Sequence, residues 1–465
     1  MAEAATTGRR FRFELISGSG AMLQQDGYRQ LWLGRLASHT AINAVLYTLL
    51  VLVVQGTGTG ASIKSALFIT AYILPTATMG TISGVIVDRM PKNLVLCAAN
   101  IARLGLMILL LMSDQNVWTI YGIALLLAMT SQFAAPAEAA ALPQVVGQGQ
   151  LMTANSMNSL GGLLSQAAGF ALLAPLFLNT VGARPMFFVC AVLFGAAAFF
   201  FFGIQHLGSR QIDIDSTVDA VREVRAQFAQ AWETLQADLA AYMAVMLFVL
   251  ASTASLVGVT LMPLFTNEVL DIPVQNAIFV FLPAAVGVLA GLRLVQWLEH
   301  RLPQGWLVGF GFCLLAAAFL GLSMTSFFAN MWTEFNLFGI FDPGPLSEQS
   351  AKIMVTIFFS TAAAFSFSVV GVASRALVNE RMPLDIQGRV FAAQTVLTNL
   401  ASIPPILLAG LLAEAFGVGP VLFLFVLIMV GLAAWTYARA LTRPESEDDE
   451  EYAYENVETA GPEGD

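Results

Sequence analysis

The chain has 465 residues, 57% hydrophobic and 11% charged, where soluble domains carry ~25% charged residues. So few charges cannot coat a globule of this size, and three cysteines (Cys97, Cys190, Cys313), each inside an apolar run, exclude a disulfide framework or a zinc cluster. The net charge of −10 has one source, because Glu445 to Asp465 hold ten acids and no base while the remainder balances at 21 acids against 21 bases.

Residues 1–30 contain arginines but neither an apolar core nor a small-residue cleavage site, so they read as a cytoplasmic N-terminal segment and not a cleaved signal. Apolar runs of membrane-crossing length follow at 31–55, 65–87, 94–112, 117–135, 151–176 and 185–204. A polar separator, 206–238, comes next. Within it Val218, Val221, Val224, Phe228, Trp232, Leu235 and Leu239 recur at helical steps, which predicts an amphipathic linker helix. Six more runs occupy 239–263, 274–297, 306–327, 351–373, 391–413 and 418–438. The expected fold is therefore an all-α polytopic membrane protein with twelve transmembrane helices in two six-helix bundles, 31–205 and 239–440. Between spans nine and ten, 327–350 forms an aromatic loop with Trp332 and several phenylalanines, as expected of a segment at the outer membrane interface. Residues 441–465 have the composition of an acidic disordered tail.

With the spans laid down, seventeen Lys and Arg fall on the side of the termini and only Lys64, Arg184 and Lys352 on the other, Arg103 being left inside span three. The positive-inside rule then puts both termini in the cytoplasm. The halves also repeat. Leu74-Pro75, Gly80 and Gly84 return as Leu282-Pro283, Gly287 and Gly291, and Leu142-Pro143, Asn155 and Gly169 return as Met382-Pro383, Gln394 and Gly410. Parallel six-helix repeats are the build of one class of secondary transporter.

The loop after span two reads Gly84-Val-Ile-Val-Asp88-Arg89-Met-Pro-Lys92. It matches the G-x-x-x-D-R-x-x-[KR] signature of the major facilitator superfamily, in that family's position. Tyr28 to Arg35, Ala141-Leu142-Pro143 with Ala154-Asn155, and Pro383 with Gly388-Arg389-Val390-Phe391 further resemble the drug/proton antiporter branch that holds macrolide-efflux proteins and the enterobactin exporter. The resemblance covers about residues 28–440. It implies that Gly84, Asp88, Arg89, Lys92, Gly388 and Arg389 form a conformational motif. It also implies that spans one, four, seven and ten surround a cavity, with five and eleven beside them. Span one departs from the branch, having no carboxylate in Ser38-His39-Thr40-Ala41-Ile42-Asn43. Span five has Ser165-Gln166 where the antiporters carry Gly-Pro, and the second copy of the loop signature has Val295, Gln296 and Glu299 in place of its charges.

Ionisable groups inside spans are costly and mark function by default. Arg103 admits two readings, a structural pairing with backbone or Glu138, and a cavity position favouring an anionic or zwitterionic substrate. Glu138 reads as a gate or interface pair or as a proton carrier, and His39 as a packing or a titrating residue. The amides Asn43, Gln132, Asn155, Asn158, Gln166, Gln394 and Asn399 serve either as helix-to-helix hydrogen bonds or as a cavity wall.

The function expected is secondary active transport, exporting an amphipathic small molecule by alternating access, in a bacterial plasma membrane. The alternatives are a passive facilitator or lipid flippase, and a transporter-like scaffold that binds a protein partner through the aromatic loop or the acidic tail. No ATP-binding, hydrolytic or metal-ligand pattern occurs in the sequence, so no enzyme activity, cofactor or metal is expected, and no nucleic-acid partner.

Overall fold

The computed structural model describes residues 22–55, 60–147, 150–204, 229–298, 301–335 and 348–441. The N-terminal segment to residue 21, most of the linker, residues 336–347 of the aromatic loop and the tail from 442 lie outside the described residues, as do the expectations that fall on them.

The first half is built from α1 (Asp26–Gln55), α2 (Ala61–Arg89), α3 (Lys92–Met112), α4 (Val117–Val145), α5 (Leu151–Gln166) continued by a π-helical segment (Ala167–Leu173) into α6 (Ala174–Thr180), and α7 (Ala183–Phe202). The second half has α8 (Leu239–Glu268), a 3₁₀ turn (Val274–Asn276), α9 (Ala277–Phe281), α10 (Ala284–Leu298), α11 (Gln304–Ser323), α12 (Thr325–Phe335), α13 (Glu348–Arg381), α14 (Leu384–Phe416) and α15 (Val418–Leu441). Among the described residues, eleven helical stretches are long and apolar enough to cross a membrane. The 29-residue α2, equally apolar, completes the expected twelve by its length and place. It packs against α4 of its own half and α14 of the other, and its Ser62, Ser65 and Ser83 side chains are buried.

Side chains explain where several helices start and bend. Asn116 accepts from the Thr119 N–H and Asp238 from the Ala241 N–H, each capping the helix that follows. Pro175 has no N–H to give to the turn before it, and there the Ala174 N–H bonds back five residues to the Gly169 carbonyl, which opens the π segment. Helices also outrun the apolar stretches that announce them. α4 runs through Pro136 to Val145, and α13 continues to Arg381.

Both ends of the membrane domain, Asp26 and Leu441, belong to one face, here called proximal; the opposite face is distal. At the distal face the halves touch. The Tyr47 hydroxyl lies 3.1 and 3.2 Å from the Val274 and Gln275 carbonyls, either of which it can donate to, and 3.3 Å from the Ile278 N–H, from which it accepts. Gln55 donates to Gln275 at 2.7 Å and Asn179 to Asn276 at 3.0 Å. The Gly60 N–H bonds Glu414 at 2.6 Å. Gly410 lies against α2 so tightly that a Cβ there would stand 2.6 Å from the Ala66 Cβ, so only glycine permits this approach.

The described end of the linker, residues 229–237, is helical and lies on the second half. Ala231 and Leu235 are buried with Val378, Met382 and Val390, and Trp232 meets Tyr242 edge-on, whereas Leu239 is exposed. Of the aromatic loop, α12 packs Phe328 and Trp332 onto Ala351, Val355 and Phe359 of α13, leaving Phe327 exposed.

Candidate functional site

Among the described residues, two polar regions lie between the helices, one in each half. In the first half α1 brings Arg35, Ser38 and His39 against α3 and α4. Glu138 is buried, 8% exposed, and faces α1. Its Oε2 stands 3.2 Å from Arg35 Nε, an ion pair off the line of a hydrogen bond, and 3.1 Å from His39 Nε2, with Oε1 at 3.3 Å. One helical turn separates Arg35 from His39, so a single helix face presents both to one carboxylate.

Arg103 is 4% exposed and points between helices, not at lipid. Its Nε donates to Thr130 Oγ1 (2.9 Å), Nη1 to Ser38 Oγ (2.8 Å) and Nη2 to Ser131 Oγ (3.0 Å), and its plane lies over the Phe194 ring. The Ser38 hydroxyl in turn donates to Asn100 Oδ1, 2.7 Å away. Among the described residues no carboxylate pairs directly with Arg103. Of the partners considered for Arg103, backbone or Glu138, neither is used: three hydroxyls take that place, and Glu138 takes Arg35 and His39. The cluster holds two guanidiniums to one carboxylate, an excess of positive charge before His39 is counted.

The remaining amides of this half divide. Gln132 donates to Thr76 of α2 at 2.8 Å, joining two helices. Asn158 is buried with its side-chain oxygen unpartnered, and Asn43 is half-buried beside Gly169, where a Cβ would meet the Thr40 carbonyl at 2.6 Å. Asn155, Ser159 and Gln166 are exposed along one face of α5, a stripe too polar for lipid.

In the loop signature, Lys92 has a structural role. It is buried, and its ammonium donates to the carbonyls of Val87 and Asp88 at 2.8 Å and Met90 at 3.1 Å, capping α2. The Asp88 side chain is exposed and has no partner among the described residues; Arg89 is half-buried, and a Cβ on Gly84 would meet nothing. Gly388 is exposed, and Arg389 reaches Gln230 at 3.3 Å.

The second half holds a cavity of about 490 Å³ where α8, α13 and α14 meet, lined by Phe248, Ser252, Arg375, Asn379, Gln394 and Thr398 among others, with Asn399 also at its wall. Gln394 and Asn399 are thus brought together. Arg375, Asn379 and Ser252 were not singled out from sequence, Arg375 because it lies past the end of the apolar run 351–373.

A family model described as Major Facilitator Superfamily matches residues 31–404. An uncharacterized MFS-type transporter, YfiS of Bacillus subtilis (strain 168), is 24% identical over 383 residues, 79% of this chain and 82% of that protein. Crystal structures of the nucleoside transporter NupG superpose with TM-score 0.65 at 13% identity over 90% of this chain and 99% of that one. A bacterial homolog of the human lysosomal transporter Spinster, in an inward-facing unoccupied conformation, superposes with TM-score 0.63 at 13% identity, covering 89% and 97%.

Proposed function

The chain belongs to the Major Facilitator Superfamily, a superfamily of transporters and not of enzymes, and on that premise we propose that it exports an amphipathic anionic or zwitterionic small molecule by alternating access. The observation that carries this reading is the distal seal. A handful of hydrogen bonds around Tyr47, Gln55 and Gly60 and one glycine contact close that face, while the polar cavity of the second half and the Asn155–Gln166 stripe lie to the proximal side of it. Such a seal is weak enough to break and re-form as the halves rock. Taking the proximal face as cytoplasmic, from the excess of Lys and Arg there, the state described faces inward in a bacterial plasma membrane. The likeness to the drug-exporting branch supports export. The surplus guanidiniums of both halves support a negatively charged substrate group.

Proton coupling is weak in this reading. Glu138 is already engaged by two basic side chains of α1, Arg35 and His39, and the Ser38–Asn43 stretch of span one has no carboxylate. Counterflow in proteoliposomes, with and without a pH gradient, tests both claims. Exchange that ignores the gradient is expected, and supports facilitated exchange over antiport. A strong gradient dependence that survives Glu138→Gln and His39→Gln together overturns the coupling argument. No exchange of any amphipathic anion overturns transport.

A further inference from the structure

We infer that the second half holds a two-chamber site for an anionic amphiphile, a charged head in the proximal chamber and an apolar chain in the distal one; this rests on the transport reading above and names its substrate class. The proximal chamber is the 490 Å³ cavity already described. Three of its donor groups are unused. Arg375 makes no ion pair among the described residues. Gln394 is 5% exposed, yet its side-chain nitrogen has no partner, and the Thr398 hydroxyl is likewise buried and unpartnered. Buried donors without acceptors are rare because they are unfavourable, and a ligand carboxylate or phosphate would satisfy them.

The distal chamber, about 300 Å³, is lined by Met262, Phe265, Phe281, Phe319, Phe367 and Leu422. Its two hydroxyls already serve their own helices, Ser255 donating to the Ala251 carbonyl and Ser360 to that of Ile357. A polyol or nucleoside placed there would leave its own hydroxyls unpaired. Apolar cavities of this kind take apolar guests, and at ~30 Å³ per heavy atom the chamber holds a chain of roughly ten.

The chambers lie in series. Along α8, Ser252 borders the first and Ser255 the second, a step of ~5 Å; along α13, Arg375 and Phe367 are ~12 Å apart by helical rise. Phe248 of the proximal chamber stacks on Phe367 of the distal one, ring centroids 6.1 Å apart at 27°, so the two chambers adjoin at this ring pair. One molecule with a head and a chain fits this order; a compact ion or a uniformly polar solute does not.

The test uses the full chain in nanodiscs of zwitterionic lipid, with labelled dodecanoate, and empty nanodiscs as background. Saturable dodecanoate binding is expected, with butanoate and dodecanol at least about tenfold weaker as competitors. Arg375→Gln should weaken binding by about tenfold or more and Arg375→Lys by less, while Ala364→Trp, at a residue that also lines the distal chamber, should fill that chamber and bring dodecanoate to the level of butanoate. The chain-length comparison on the unaltered protein decides the matter if Ala364→Trp does not fold. Absence of saturable binding, equal affinity for short and long chains, or indifference to Arg375→Gln each overturns the site. Anionic phospholipid added to the nanodiscs separates the sources of such an amphiphile: competition identifies a lipid headgroup, no competition a free solute, and the site stands in both. Flux of another solute without dodecanoate binding removes this site and leaves transport; dodecanoate binding without any flux does the reverse.

Discussion

Glu138 faces two cationic groups of one helix, and its replacement shows what that arrangement contributes. Glu138→Gln leaves Arg35 and His39 turned toward an amide. Because both of those reach solvent in part, the expected loss is ~1–3 kcal/mol, below the ~3–5 kcal/mol of a fully buried pair, read as a lowered thermal midpoint in detergent. Arg103 acts differently, since it ties α3 to α1 and α4 through hydroxyls. Arg103→Lys keeps the charge, but an ammonium lacks the planar fork that spans three acceptors on two helices. A loss of ~1–3 kcal/mol is expected, together with a reduced folded yield. The sequence marks Arg103 and Glu138 as costly but not their partners. Arg35 escapes notice because it stands near the start of an apolar run, where an arginine reads as an edge charge; only the packing of α1 on α4 shows that it points inward. Arg375 escapes for the same reason at the other end of its helix.

Helix ends and breaks carry the next level of control. Lys92 closes the loop signature in chain order, but its ammonium turns back to three carbonyls at the end of α2, so part of the motif is a helix cap. Lys92→Ala should fray the last turn of α2 at a cost of ~1–2 kcal/mol, seen as faster amide hydrogen exchange over residues 84–92 with α4 unchanged. Conversely, Gly169→Leu should separate α1 from the π segment, because its side chain would enter the space of the Thr40 carbonyl. The expected signature is loss of folded yield, measured by size-exclusion profile. Element positions are legible in the sequence because apolar length is set by bilayer thickness. Their overruns are not, since polar turns beyond the hydrocarbon cost a helix little. The π segment is hidden altogether, because Pro175 announces a break without saying how the backbone repairs it.

For the whole molecule the balance between faces is the functional quantity, and the distal seal sets it. Tyr47→Phe removes one hydroxyl that serves carbonyl and N–H groups of the other half, ~0.5–1.5 kcal/mol of closure. A several-fold rise in labelling of Ser62→Cys by an impermeant maleimide is the expected outcome; unchanged labelling would mean that the seal lies elsewhere. The twofold repeat and the twelve-span count could be read from residue order, whereas the state in which the halves meet could not, because the same sequence must support both closures. The π segment adds a consequence of phase. An α-helix advances ~100° per residue, so one extra residue between Gln166 and Ala174 rotates everything after it by about that angle relative to an unbroken helix. Asn179 meets Asn276 only in the rotated frame, while Ser165, ahead of the shift, keeps its bond to the Leu36 carbonyl in either. Deleting Ala168 should therefore turn Asn179 away from the other half without disturbing Ser165. Span five then works as a gear whose residue count sets whether its two ends engage their partners together.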